Sequence, residues 1–176
     1  GEEKSFDLTR EEINNVSAYV DYDDKTAIIT VTRFDNDTGT IVQKIVNNEF
    51  EKRGINKGIL DLRNNGGGYV SAAKDLLSLW IDGEPILVQK SRNDQEDVIK
   101  SNRGQAKLAD VETIVLMNGG TASASEIVAG ALKDYDKATL IGEQTYGKGV
   151  VQTLLDLSAG PSLKVAPSNW YTPKGT

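Results

Sequence analysis

The chain is predicted to be an α/β domain, with helices packed on a mixed β-sheet. Two observations predict it. Apolar, strand-length segments alternate with segments at helical spacing, and strand–loop–helix units recur at least three times within 176 residues. The segments Ala138–Gly142 and Val150–Leu157 also lie close enough in sequence to form a hairpin-like pair, which would add an antiparallel neighbour to a sheet built from parallel units. The length suits one compact domain over residues 1–176 with a core of its own.

In chain order, Ser5–Asn15 reads as a lead-in with a helical turn around Thr9–Glu12. Val16–Tyr22 and Lys25–Phe34 are rich in β-branched residues and read as strands. Asp35–Gly39 is a turn, after which Ile41, Val42, Ile45, Val46 and Phe50 recur at helical spacing until Gly54 ends the helix. Lys57–Leu62 is a short strand running into Asn64-Asn65-Gly66-Gly67-Gly68. Val70, Ala73, Leu76, Leu77 and Trp80 mark a helix, and Pro85–Lys90 a strand. Ser91–Ala106 is polar without a clear period and reads as an exposed flap or long connection. Thr113–Met117 is a buried strand, Ser123–Tyr135 a helix, and Leu163–Tyr171 a final extended segment.

Composition narrows the function. Hydrophobic residues at 38% and charged residues at 26% suit a folded globular chain. A net charge of −6 without a basic run argues against nucleic acid as a partner, because phosphate binding needs clustered Lys and Arg. No apolar run is long enough to span a bilayer, so membrane contact would need segments absent from this sequence. The start, Gly1-Glu2-Glu3-Lys4, is not a signal peptide. The chain has no His and no Cys. That removes the Ser-His-Asp triad, the cysteine nucleophile and ordinary zinc sites, and leaves Ser, Thr, Lys, carboxylates or an oxygen-ligated metal for any hydrolytic chemistry.

Three segments could supply such chemistry. At Thr113–Tyr135 a strand, a Gly119-Gly120 turn and a helix start place Ser123 at a helix N-terminus, where free N–H groups and the dipole favour negative charge. The amide of Ala124 is then placed to donate to a developing oxyanion. The same residues, Ser123-Ala124-Ser125-Glu126, also fit a capping box, and the two readings can coexist. Gly66-Gly67-Gly68 either offers a second oxyanion donor or is a plain flexible turn. Lys148, between Gly147 and Gly149, would share a strand face with Val150 and Gln152. A lysine facing inward there loses hydration and can serve as a general base, whereas an exposed one is an ordinary turn lysine.

The residues also carry a resemblance. Asn118–Ile127, Gly142–Gly149 with Gln152, Leu60–Gly68 and Tyr171–Gly175 resemble, in order and spacing, motifs of the carboxyl-terminal processing peptidases, or tail-specific proteases. The resemblance runs from about Leu8 onward. It implies a crotonase/ClpP-like protease core and a Ser–Lys serine endopeptidase that cleaves polypeptides near apolar C-terminal tails. By position it puts the nucleophile on Ser123 and not Ser125, the base on Lys148, the supporting glutamine on Gln152, and the oxyanion amides on Ala124 and the glycine loop at Gly67. Asp61 and Arg63 become supports of that loop, and Glu126 and Glu143 capping or positioning groups. It implies no cofactor and no metal, leaves homo-oligomerisation open, and implies a bacterial protein of the periplasm, cell envelope or exterior.

Three features depart from the family pattern. Gly66 stands where the family usually has proline, which loosens the loop. The sequence has no room for the PDZ domain that usually precedes the core, and it stops at Thr176 where relatives continue, as expected of an excised core or fragment. The alternative function is a degenerate or gated core that binds peptide tails as a scaffold. A hydratase-like acyl-transfer enzyme lacks its carboxylate base and nucleotide-binding stretch here, and Asp35-Asn36-Asp37 does not meet the spacing of an EF-hand loop.

Overall fold

The computed structural model describes residues 4–5, 16–156, 160 and 162–176. The helical turn expected around Thr9–Glu12 lies outside the described residues. Two sheets form. The first has five strands in the order β1-β2-β3-β6-β7: β1 (Ala18–Asp23), β2 (Thr26–Val31), β3 (Lys57–Asp61), β6 (Glu112–Met117) and β7 (Thr139–Gly142). The β1–β2 pair is antiparallel and the other neighbours are parallel, so this sheet is mixed. The second has four strands in the order β5-β4-β9-β8, all antiparallel: β4 (Pro85–Ser91), β5 (Glu96–Lys100), β8 (Val150–Asp156) and β9 (Ser162–Tyr171).

The helices follow the apolar spacing. Helix α1 (Thr38–Ile45) continues through a widened π turn (Val46–Phe50) into a last short turn, α2 (Glu51–Arg53). It stops at Gly54, whose left-handed φ of 63° most other residues would resist. Helix α3 (Val70–Leu77) buries Ala72, Ala73, Leu76 and Leu77, and α4 (Ala124–Asp134) buries Ile127, Val128, Ala131 and Leu132. With Ile29, Val31, Leu60 and Val115 from alternate positions of the first sheet they form one continuous core. Trp80 is buried in it, its Nε1–H donating to Thr113 Oγ1 at 2.9 Å.

The core dictates two close approaches. A Cβ on Gly39 would lie 2.4 Å from Asp75 Cβ, so α1 meets α3 with no room for a side chain. A Cβ on Gly68 would lie 2.1 Å from the Phe34 carbonyl oxygen, where the glycine loop bridges the chain leaving β2.

Two expectations are corrected. Ala138–Gly142 and Val150–Leu157 do not pair. β7 adds to the first sheet in parallel beside β6, whereas β8 joins β9 in the second. The connecting residues therefore cross from one sheet to the other. Ser91–Ala106 is not a structureless flap either. Ser91 N–H donates to the Gln95 carbonyl at 3.0 Å, closing a turn into β5. Strand β5 is an edge carrying Glu96, Asp97 and Lys100, charges that protect an unpaired edge and also erase the apolar alternation by which a strand is read.

Gly39→Ala should lower stability by about 1–3 kcal/mol, the usual range for an overpacked contact. Urea unfolding checks it, and an unchanged midpoint would mean that α1 and α3 separate freely.

Candidate active site

Ser123 sits between β6 and α4 with φ 56° and ψ −118°, a backbone region that non-glycine residues rarely occupy. Such a conformation costs on the order of 1–3 kcal/mol and persists only when its surroundings over-determine it. They do so here. The Ser123 amide donates to Glu126 Oε2 at 2.7 Å, the Ala122 amide to the Asn65 carbonyl at 3.0 Å, and the Ile127 amide to the Ser123 carbonyl at 3.0 Å. The Glu126 bond is the reciprocal half of a capping box, so cap and elbow coexist. Ser125 is occupied elsewhere: it is buried, and its hydroxyl donates to the Asn65 carbonyl at 3.0 Å.

Asn65 is fully buried and joins the glycine loop to this elbow. Its side-chain nitrogen donates to the Val31 carbonyl at 2.7 Å, and its Oδ1 accepts from the Gly67 amide at 2.9 Å. A second pair zips the same two loops together. Asn118 Oδ1 accepts from the Asn64 and Gly120 amides at 2.9 and 3.0 Å, and Asn118 Nδ2 donates to Asn64 Oδ1 at 2.9 Å. Thr121 donates to the Leu62 carbonyl at 2.8 Å beneath them. Asp61 and Arg63 pair with each other, with Arg63 Nη2 2.6 Å from Asp61 Oδ2 and Arg63 Nε bonding both carboxylate oxygens. The Arg63 hydrogen bonds hold the Asp61 carboxyl below its ordinary range.

Gly67 has φ 97°, and a Cβ there would lie 2.7 Å from Ser123 Cβ and 2.9 Å from the Ala124 amide nitrogen. Only a bare Cα lets this loop lie against the Ser123 elbow. Ala124 itself is fully buried behind Ser123 and does not line the cavity. The Gly67 amide, expected as an oxyanion donor, is engaged by Asn65 Oδ1 in this conformation. The adjoining Gly68 amide has no hydrogen-bond partner among the described residues.

Lys148 lies in the crossing segment just before β8, not within the strand, and is half-buried. Its backbone is held on both sides. Gly147 N–H donates to Glu126 Oε1 at 2.6 Å and Lys148 N–H to Glu126 Oε2 at 2.9 Å. Trp170 Nε1–H donates to the Lys148 carbonyl at 2.7 Å, and the Trp170 amide to the Gly149 carbonyl at 3.0 Å. Tyr146 N–H adds a bond to the Thr121 carbonyl at 3.0 Å. Among the described residues no carboxylate forms an ion pair with the Lys148 side chain. Gln152 is exposed, at the point where the β8–β9 register shifts.

Ser123, Lys148, Gln152 and Gly66–Gly68 line one cavity of about 470 Å³ at the seam between the two sheets. Lys148, Val150 and Gln152 reach it together even though the strand begins only at Val150. The sequence reading missed the bridging role of Asn65, the reach of Glu126 to the lysine loop, and Trp170. A left-handed position at Asn64, with φ 60°, is the sort of signal an Asn-Asn-Gly run carries, but nothing local marks the other three.

This fold and cavity belong to a peptidase-type core, and comparison with known proteins agrees. The model of peptidase family S41 matches residues 25–176, and the chain belongs to that family. It is 38% identical over 175 residues to a probable CtpA-like serine protease of Staphylococcus aureus, covering 99% of this chain and 35% of that protein. Its structure resembles that of a photosystem II D1 C-terminal processing protease at TM-score 0.77 and 32% identity, over 86% of this chain and 39% of the other. A lipoprotein of Streptococcus agalactiae shares the fold at TM-score 0.77 and 18% identity, over 92% of this chain and 61% of that one. The chain thus spans about a third of the length of the curated relative it matches.

Two outcomes follow. Glu126→Gln, which cannot accept from all three amides, should lower stability by about 1–3 kcal/mol in urea unfolding. Because the Asp61 carboxyl is depressed, its contribution is present above the ordinary carboxylate range and is lost as pH falls through its folded-state value. Asp61→Asn should therefore flatten the loss of thermal stability below about pH 4, and an unaltered acid limb would show that the Arg63 pair does not act on folding.

Proposed function

We propose that this chain is the catalytic core of a serine endopeptidase acting on polypeptides near their C-terminal tails, with Ser123 as nucleophile and Lys148 as general base. One observation carries the reading. A serine held at positive φ at the start of α4 opens into the same cavity as a lysine whose backbone is anchored on both sides. In the proposed reaction a neutral Lys148 amine takes the Ser123 hydroxyl proton as Oγ attacks a peptide carbonyl. The Ala124 amide and one amide of the Gly67–Gly68 segment stabilise the tetrahedral oxyanion. Since the Gly67 amide is engaged by Asn65, the Gly68 amide is better placed for the second bond. Lys148 returns its proton to the leaving amine, and water then releases the acyl group from Ser123. Gln152 supports the lysine or the substrate from the exposed side of the cavity. This chemistry asks for no metal or cofactor. Action outside the cytoplasm and presentation of tails by a PDZ domain belong to the same proposal, on the strength of the family. No described helix is long and apolar enough to cross a membrane.

The engaged Gly67 amide favours a second reading, a gated core that requires the glycine loop to rearrange before turnover. Labelling with a serine-directed fluorophosphonate, read by mass spectrometry, tests the dyad. Label should appear on Ser123, and Lys148→Ala should slow labelling by about 10²–10⁴-fold, the range for losing a general base. Labelling at full rate in Lys148→Ala would remove Lys148 from the role. Labelled Ser123 without cleavage of an unfolded, apolar-tailed protein would select the gated reading.

A further inference from the structure

The chain as a whole is acidic, with 20 Lys and Arg against 26 Asp and Glu, yet the active-site cavity is not. Its lining holds three cations, Arg33, Lys148 and Lys164, and one carboxylate, Asp35. Arg33 Nε is ion-paired with Asp35 Oδ2, so those two charges offset each other. Lys148 has to be neutral when it acts as a base. Lys164 remains. It is exposed on β9 and has no ion-pair partner among the described residues, and it is the positive charge that an incoming substrate meets.

We infer that Lys164 is a specificity determinant: the cleft selects substrates carrying an acidic group, a Glu or Asp side chain or the free C-terminal carboxylate, a few residues from the scissile bond. This rests on the peptidase reading above. The distance follows from strand geometry. Lys164 is the Cα partner of Leu154, four residues along β8 from Val150, which lines the cavity beside the dyad. Four residues of strand span about 13 Å, and an extended substrate advances by the same rise per residue. Allowing for the reach of the lysine stem, the acidic group falls about three to five residues from the scissile bond. Among the described residues strand β8 is an edge of its sheet, a line along which an extended peptide could pair.

The test uses quenched peptides of one sequence carrying Glu, Gln or Lys at a single position, scanned three to five residues either side of the cleaved bond, with a further pair differing only in a free or amidated C-terminus. For the native chain kcat/KM should rank Glu above Gln by about two- to fivefold at one such position, the range of an exposed ion pair, with Lys lowest. The ranking should shrink as salt is raised. Lys164→Glu should invert it, and Lys164→Gln should flatten it. The terminal pair separates the two sources: loss of preference on amidation assigns the C-terminal carboxylate, and retention assigns a side chain. In parallel, fluorescence anisotropy measures binding of the same peptides to Ser123→Ala, alone and combined with Lys164→Glu. One ranking common to the native chain and Lys164→Glu, in turnover or in binding, overturns the inference. Binding that follows the charge at residue 164 without any turnover upholds it and counts against the peptidase reading.

Discussion

One buried carboxylate fixes the geometry of this site. Glu126, only 8% exposed, accepts hydrogen bonds from the amides of Ser123, Gly147 and Lys148. The first belongs to the elbow at the end of the first sheet, and the other two to the segment entering the second. A charged acceptor makes stronger and shorter bonds than a neutral one, and here it also lies in the first turn of α4, where the helix favours negative charge. Glu126 thus turns two loops that meet only in space into one rigid unit. With its oxygens committed to three amides, it holds the backbone beside both proposed reacting groups.

The proposed nucleophile and base stand on segments tied to different sheets, Ser123 in the turn between β6 and α4 and Lys148 just before β8. The cavity lies on the seam between them, so a small displacement of one sheet against the other would alter their approach. The interlocks are concentrated there. Glu126 and the Tyr146–Thr121 bond cross the seam, and Trp170 stiffens the lysine segment from within the second sheet. On the other side Asn65 ties the glycine loop to both β2 and the elbow, and Asn64 with Asn118 repeats the tie nearer solvent. The positive φ of Ser123 is sustained by this network and not by the residue's own preference.

Much of this was legible in the sequence wherever physics acts locally. Apolar periodicity located β2, β3, β6, α3 and α4, Gly54 marked the end of the first helix, and the absence of His and Cys excluded a histidine base and a cysteine nucleophile. Three of the four segments singled out, those holding Gly66–Gly68, Ser123 and Lys148 with Gln152, meet at one cavity, and Tyr171–Gly175 does not line it. What could not be read was long-range or masked by charge. Whether β7 and β8 pair depends on the loop between them leaving one sheet for the other, and no residue of either strand records that. Glu126 reads as a helix cap because its bond to Ser123 is three residues long, while its bonds to Gly147 and Lys148 span 21 and 22 residues and leave no local trace. Asn65 looked like one more turn residue because its partner, the Val31 carbonyl, lies 34 residues away.

The proposed oxyanion site illustrates how such a network would both build and restrain an active centre. The bond from Gly67 to Asn65 Oδ1 helps lay the glycine loop against Ser123, where there is no room for a side chain. The same bond occupies the Gly67 amide. If Gly67 were to donate to an oxyanion it would have to give up Asn65, and a buried Asn65 oxygen would lose its partner, a change that costs about 1–3 kcal/mol. Donation from Gly68 avoids that cost and leaves the loop in place. In the proposed mechanism the hydrogen-bond balance of a single asparagine therefore separates a preorganised site from one that must open, and Gly66, with nothing within 4 Å of where a Cβ would stand, leaves the loop room for that move.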